Sequence, residues 1–432
     1  LRRQRQMCIR DSYMSLHDRL KFNKGLKQKI SDKNRNFFIF KKWLENGGAN
    51  YPDLFFKKYS GSERGMHAKK KITSNTEVMY IPSNLLITND NSSRYSTDMG
   101  SSLNNLNNTN LLKIALYILD TIDDGNNFYQ PYYQVLPKDI SHLPIFWDKS
   151  VLNLLESSDF LNDISARKKM LTNEYSNLCN LSESFRREIS LYDWLWVRSI
   201  VGSRNFSINV DGSRKSAMVP LADMLNHYRP AETKWGYDNN KKGFTMTTLK
   251  GIKPRAQIMD SYGRKSNRKY LLHYGFVMDD NVESDGTCDD DILIEIPNAN
   301  SSRKIYVNKD NFIDKLMPVL RNINKSNNES EAGSSETNQI ISPRNEVASL
   351  LSMANIARNM LLQFPKTYSQ NVLELKKLKG FSKERNAINF VKKQKELLLF
   401  IKKLADDMIP IVGLEDISNE QINNKYNLYA NN

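Results

Sequence analysis

Pro220-Leu-Ala-Asp-Met-Leu-Asn-His227, followed by Tyr262-Gly-Arg-Lys-Ser-Asn267 and Tyr274-Gly-Phe276, is the stretch on which the reading of this chain turns. An Asn-His pair alone says little. Order and spacing say more: Tyr262 comes 35 residues after His227, and Phe276 comes 14 after Tyr262. Two upstream segments join the set, Ser62-Glu-Arg-Gly-Met-His-Ala68 and Ser203-Arg-Asn-Phe206.

Working outward, alternating apolar residues predict strands near 78–81, 206–210, 216–221, 244–248 and 257–262. Residues 61–68 read as a small turn-rich segment. Phe38, Ile39, Trp43 and Leu44 recur at helical spacing, and Asn46-Gly47-Gly48 stops that helix. Residues 89–110, rich in Asn and Ser, read as a flexible loop. Mainly helical sequence then runs to about 201, and 267–274 predicts a short helix. Leu350, Met353, Ala354, Ala357, Leu361 and Phe364 form a helical stripe ended by Pro365. Leu397, Ile401, Leu404 and Met408 form another, with Pro410 as its stop.

The composition narrows the function. At 432 residues the chain is too long for one core. No apolar run reaches the roughly 18–20 residues of a membrane span. Cys8, Cys179 and Cys288 lie far apart, with neither zinc spacing nor a disulfide framework, so a reducing compartment is expected. The net charge is +15, and residues 1–42 hold thirteen Lys/Arg against three Asp, so most of it is a solvated basic tail. No aromatic-interleaved basic motif points to nucleic acid. Leu1 to Ser12 reads as sequence foreign to the protein, with Met14 as its start. There is no GxGxxG after a strand, no phosphate loop, and no GxSxG, HExxH or kinase set.

The four segments together resemble the SET methyltransferase family, and within it the Rubisco large-subunit lysine methyltransferase-like subgroup. The resemblance runs from about Phe38 to Val277 and continues more weakly to the C-terminus. It implies an α+β chain: a SET-type β-fold with pseudoknot and a helical insert, then an all-α substrate-binding domain. The domains expected are a basic tail over 1–35, a SET domain over 36–288 with its insert at about 104–201, and a helical lobe over 289–432. A disordered insertion is expected at about 324–342.

The resemblance also implies the chemistry. The cofactor would be S-adenosyl-L-methionine and the partner a protein, with the chain a monomer in the cytoplasm or nucleus and the plastid left open. Tyr262 is the implied catalytic tyrosine. Phe206, Tyr274 and Phe276 would line the acceptor channel, with Phe276 also on the cofactor wall. Asp223 takes a substrate-side acidic position. Asn226 and His227 would hold the cofactor, Arg204 its carboxylate, and Arg64, Gly65 and Met66 the turn that approaches it. Glu63 stands where the family has a glycine, and Gly61 could serve a shifted turn.

Methyl transfer needs a neutral amine. A lysine at pH 7 lies about 3.4 units below its reference pKa, so holding it neutral costs roughly 4.6 kcal/mol. An apolar channel and a neighbouring sulfonium supply that shift. A histidine, nearly neutral already, needs a wider slot and polar groups. The subgroup's actin-histidine enzyme has Asn where this chain has Phe206 and Trp where it has Ala222, so lysine is the expected acceptor. The competing reading is a SET-fold binding module without catalysis.

Overall fold

The computed structural model describes residues 33–59, 64–298, 301–332, 339–413 and 417–430, arranged as two compact units. Of the described residues, the first holds those up to 140 with 166–262, and the second 141–165 with those from 263 onward. Among the described residues no helix is long and apolar enough to cross a membrane.

In the first unit, small sheets are built from short strands. Strands β1 (Leu54–Lys58), β2 (Arg64–Ala68), β10 (Gln257–Asp260) and β7 (Asn226–His227) form one, in the order β1-β2-β10-β7. The β10–β7 pair is parallel, the others antiparallel. A second sheet joins β3 (Glu77–Pro82), β9 (Gly243–Thr248) and β8 (Thr233–Asp238), with β9 in the centre. A third joins β4 (Ile87–Thr88), β6 (Ser213–Met218) and β5 (Asn205–Val210). Met79 and Ile81 on β3, and Phe244 and Met246 on β9, are buried in the alternation seen in the sequence, while Val78 is buried as well where the β3 register shifts between Glu77 and Met79.

Three expectations change here. The first helix, Lys33–Asn46, buries Phe40 and Leu44 and leaves Phe38 and Ile39 largely exposed, so the core stripe is shifted from the one expected. Residues 89–110 are not a plain loop. Ser93 starts a helix over Arg94–Met99 with a reciprocal capping box to Ser96, and Gly100–Asn105 continues as a 3₁₀ turn. Residues 64–68 form strand β2 rather than a turn, because β1 and β10 take up its backbone groups from both sides.

The second unit is mainly helical. It is not all-α, because β11 (Asp291–Asn298) and β12 (Ser301–Asn308) pair as an antiparallel hairpin. Ile292, Ile294 and Val307 of that hairpin enter the same apolar core as Leu350, Met353, Leu398, Ile401 and Met408 of two long helices, Pro343–Gln363 and Lys383–Val412. Pro410 lies inside the last turn of the second helix instead of ending it. The polar 324–342 segment carries a 3₁₀ turn over Asn327–Ala332, with Glu329 receiving Ser326 and Arg344; residues 333–338 lie outside the described set.

The unit also begins earlier than the sequence boundary at 289, and it takes in 141–165. Polar ties explain that. Arg268, with its side chain 6% exposed, bonds Asp159 at 2.9 Å and Asp291 at 3.3 Å. Buried Lys395 reaches Glu156 at 2.8 Å, and Ser158 donates to Gln394 at 2.7 Å.

One ion pair sits fully inside this core. Arg321 Nε and Nη2 donate to Glu346 at 2.7 and 2.8 Å, and the Tyr426 hydroxyl donates to the same carboxylate at 2.5 Å. Removing one partner strands a buried charge, which costs about 3–5 kcal/mol. Glu346→Ala should therefore lower the unfolding free energy read by denaturant titration by about 3–5 kcal/mol, and a change under about 1 kcal/mol would show the pair to be solvated.

Candidate functional site

Strands β7 and β10 set the frame. Their parallel register places Asn226 opposite Met259 and His227 opposite Asp260. The Tyr228 N–H extends the ladder to the Asp260 carbonyl at 2.9 Å. Two residues past β10, the Tyr262 N–H donates to His227 Nδ1 at 3.0 Å, so the neutral ring carries its proton on Nε2. The two rings stack at 5.1 Å and 30°. The Tyr262 hydroxyl donates to the Leu225 carbonyl at 2.7 Å. With its proton spent there, the phenol oxygen faces other partners as an acceptor.

Asn226 locks this frame to β2. Its Nδ2 donates to the Arg64 carbonyl at 2.8 Å and to Gln257 Oε1 at 2.6 Å. Gly65 makes room for that knot: a Cβ there would stand 2.2 Å from Gln257 Oε1. The glycine thus serves a protein–protein approach within the sheet. Met66, the next residue, is 1% exposed and packed inside the sheet. Glu63 and Gly61, on which the expected departure from the family pattern turned, lie outside the described residues.

Beside the knot lies a buried charge cluster. Leu221 holds φ +74° and ψ −45°, a tight and strained turn for a branched residue. Two residues on, the Asp223 N–H bonds back to the Val219 carbonyl at 3.1 Å, and the Asp223 side chain is fully buried. Oδ2 accepts from the Tyr132 hydroxyl at 2.9 Å and lies 3.3 Å from Arg204 Nη1. The same Arg204 nitrogen donates to the Asp223 carbonyl at 2.6 Å. Arg64 Nη1 donates to the Val135 carbonyl at 2.7 Å. Burial, and then the nearby Arg204 charge, push the Arg64 guanidinium down to about 10. Burial and then Asp223 push the Tyr132 phenol well up, so it stays a hydrogen-bond donor.

Three buried atoms of this cluster have no hydrogen-bond partner among the described residues: Arg64 Nη2, Arg204 Nε and Asp223 Oδ1. Two are donors with a positive charge and one is an acceptor with a negative charge. An unmatched buried polar atom costs roughly 1–3 kcal/mol. The cluster therefore fits a zwitterionic group, with a carboxylate toward the guanidiniums and an ammonium toward the aspartate.

The remaining expected residues fall elsewhere. Phe206 is 8% exposed and packs edge-on against Trp235 and Phe244, both at 5.1 Å between ring centres. Tyr274 and Phe276 belong to the second unit, where Phe276 stacks on Tyr270 at 5.2 Å and Lys265 lies over the Tyr274 ring at 5.9 Å. Arg64, Arg204, Asp223, Asn226, His227 and Tyr262 all belong to the first unit.

Residues 63–263 match the SET domain family, and 288–398 match Rubisco LSMT substrate-binding. The chain thus carries a SET domain followed by a Rubisco LSMT substrate-binding region. The actin-histidine N-methyltransferases of Homo sapiens and Mus musculus are similar to it, at 27% identity over 282 residues, which is 60% of this chain and 46% of each relative. The chain thus spans less than half the length of the curated relatives it matches. Two structures share its fold: the SET domain of LSMT bound to lysine and AdoHcy, with TM-score 0.69, 19% identity, and 90% of this chain and 95% of that one covered; and Rubisco LSMT bound to AdoMet, with TM-score 0.68, 19% identity, and 90% and 96% covered.

Around this SET site, sequence reasoning missed Tyr132, Gln257 and Asp260. Tyr132 comes from the helical insert, and its neighbours give no sign of where it points. Asp260 did leave a trace, as the carboxylate that closes the short strand Gln257-Ile-Met-Asp260. It is 2% exposed and takes bonds from the Ser261 N–H at 2.7 Å and the Thr233 hydroxyl at 3.4 Å. Burial pushes its carboxyl up to about 6.

The sign of the linkage follows. Below about pH 4 Asp260 is protonated whether folded or unfolded, and the burial penalty is absent. Between about pH 4 and 6 the unfolded chain gives up its proton first, so stability falls as pH rises, and the penalty is complete above 6. Asp260→Asn keeps the acceptor and removes the titration. Its stability relative to the parent protein should climb by about 3 kcal/mol from pH 4 to pH 7, read by denaturant unfolding; a constant difference would show that the carboxyl does not titrate there.

Proposed function

We propose that this chain is an S-adenosylmethionine-dependent protein N-methyltransferase that acts on a lysine side chain of a non-histone protein. The observation that carries the reading is the set of unmatched buried atoms on Arg64, Arg204 and Asp223, next to the Asn226–His227–Tyr262 knot. In this reading Arg64 and Arg204 hold the cofactor's carboxylate and Asp223 its ammonium. Asn226 keeps the wall in register, because its amide nitrogen is already committed to Arg64 and Gln257. When bound, S-adenosylmethionine supplies a methyl group made electrophilic by its sulfonium.

The protein's own part is alignment and desolvation. Tyr262, its proton held by the Leu225 carbonyl, offers an oxygen that orients an incoming amine N–H. The Phe206, Trp235 and Phe244 rings supply an apolar wall of the kind that disfavours an ammonium. A monomer in the cytoplasm or nucleus, working on a protein partner, goes with it. The second reading, histidine as acceptor, is favoured by the names of the curated relatives. The Phe206 cluster favours lysine, because an imidazole needs polar groups to fix its tautomer.

Transfer of labelled methyl groups into a lysate, with mass spectrometry of the modified residue, tests this. Label should appear on lysine, and label confined to histidine would select the second reading. S-adenosylmethionine should raise the melting temperature of the protein. Tyr262→Phe should keep that shift and lose about a hundredfold or more in turnover. No thermal shift, or full activity in the variant, would overturn the proposal.

A further inference from the structure

The turn that joins the Tyr368–Lys377 and Lys383–Val412 helices, within the second unit, stands apart electrostatically. Between Lys366 and Lys403 the sequence holds eleven Lys/Arg against three Glu. Most of those cations are spoken for. Lys366 pairs with Glu374, Lys383 with Asp148, Lys392 and Lys393 with Glu396, Lys395 with Glu156, and Lys402 and Lys403 with Asp406 and Asp407. Lys376, Lys377 and Lys379 are exposed and have no carboxylate partner among the described residues.

The plain explanation is that lysines at a helix C-terminus serve its unbonded carbonyls. At two of the carbonyls another residue does that work. Arg385 Nη1 donates to the Leu375 carbonyl at 3.1 Å and to the Leu378 carbonyl at 2.9 Å. Gly380, at φ +73°, then reverses the chain and presents Phe381 with 49% of its surface exposed. Three unpaired ammonium groups and one open aromatic ring thus share six residues of surface.

We infer that this turn is a docking site for an acidic protein segment that carries an apolar side chain. It rests on the methyltransferase reading above for what docks there, the protein substrate, and it lies within the part of the chain that matches Rubisco LSMT substrate-binding. The three ammonium groups are point charges that a run of carboxylates matches, and the one arginine beside them, Arg385, has its Nη1 committed to carbonyls. One ring on a turn is too little apolar surface to seat in a bilayer. Complementary charge of this kind steers encounter and raises affinity modestly at each contact.

The test is fluorescence anisotropy with the full chain at low salt. The probe is a fluorescein-labelled heptapeptide of glutamates with a central leucine. Binding should weaken with added salt, and at least tenfold in K376E/K377E/K379E. Phe381→Ser should weaken it severalfold, with an unchanged melting temperature in both variants. No binding by the parent protein, or equal binding by the triple variant, overturns the inference. So does tighter binding of phosphatidylserine vesicles or of a thymidine oligonucleotide. The assay uses neither cofactor nor methyl transfer. A protein that binds the peptide and transfers no methyl group therefore fails the methyltransferase reading alone.

Discussion

A buried aspartate between a phenol and a guanidinium organises the SET site. Asp223 has no exposed side-chain surface, and its Oδ2 is held by Tyr132 and Arg204. An isolated carboxylate in that position would protonate or draw in water. The strained Leu221 turn and the Arg204 bond to the Asp223 carbonyl hold it in place. Of the buried unmatched atoms, the three here carry opposite charges side by side, a pattern a folded core has no reason to keep unless a ligand completes it.

The surrounding strands make that cluster accessible to chemistry. β7 and β10 run parallel for only two residue pairs, yet that register puts His227 where the Tyr262 N–H can reach it. Tyr262, Asn226 and Gly65 are thereby tied into one knot, although they are up to 197 positions apart in sequence.

Much of this was legible in the sequence. Apolar alternation located β3, β5, β9 and β10 but only the last three residues of β6, since 219–221 run on into the Leu221 turn, and helical spacing located the Pro343–Gln363 stripe. The motif residues from Asn226 to Tyr262 lie together because their spacing is the spacing of the strands. What stayed hidden depends on approach between distant segments. Tyr132 reaches Asp223 across 91 positions, and nothing local marks it. β2 looked like a turn because Gly61, Ser62 and Gly65 fall within five residues, and only pairing on both sides makes it a strand. The β11–β12 hairpin was hidden in a lobe whose strongest signal is helical. A cap at Ser93 outweighed the polar composition of its loop.

The central claim is that the Arg64–Arg204–Asp223 cluster completes itself with an amino-acid head group. Isothermal titration with S-adenosylhomocysteine and with 5′-methylthioadenosine, which has the same nucleoside without that head, measures it directly. The account predicts at least a hundredfold preference for S-adenosylhomocysteine, since each charge-assisted bond contributes about 1.5–3 kcal/mol. Equal affinity for the two ligands would contradict it.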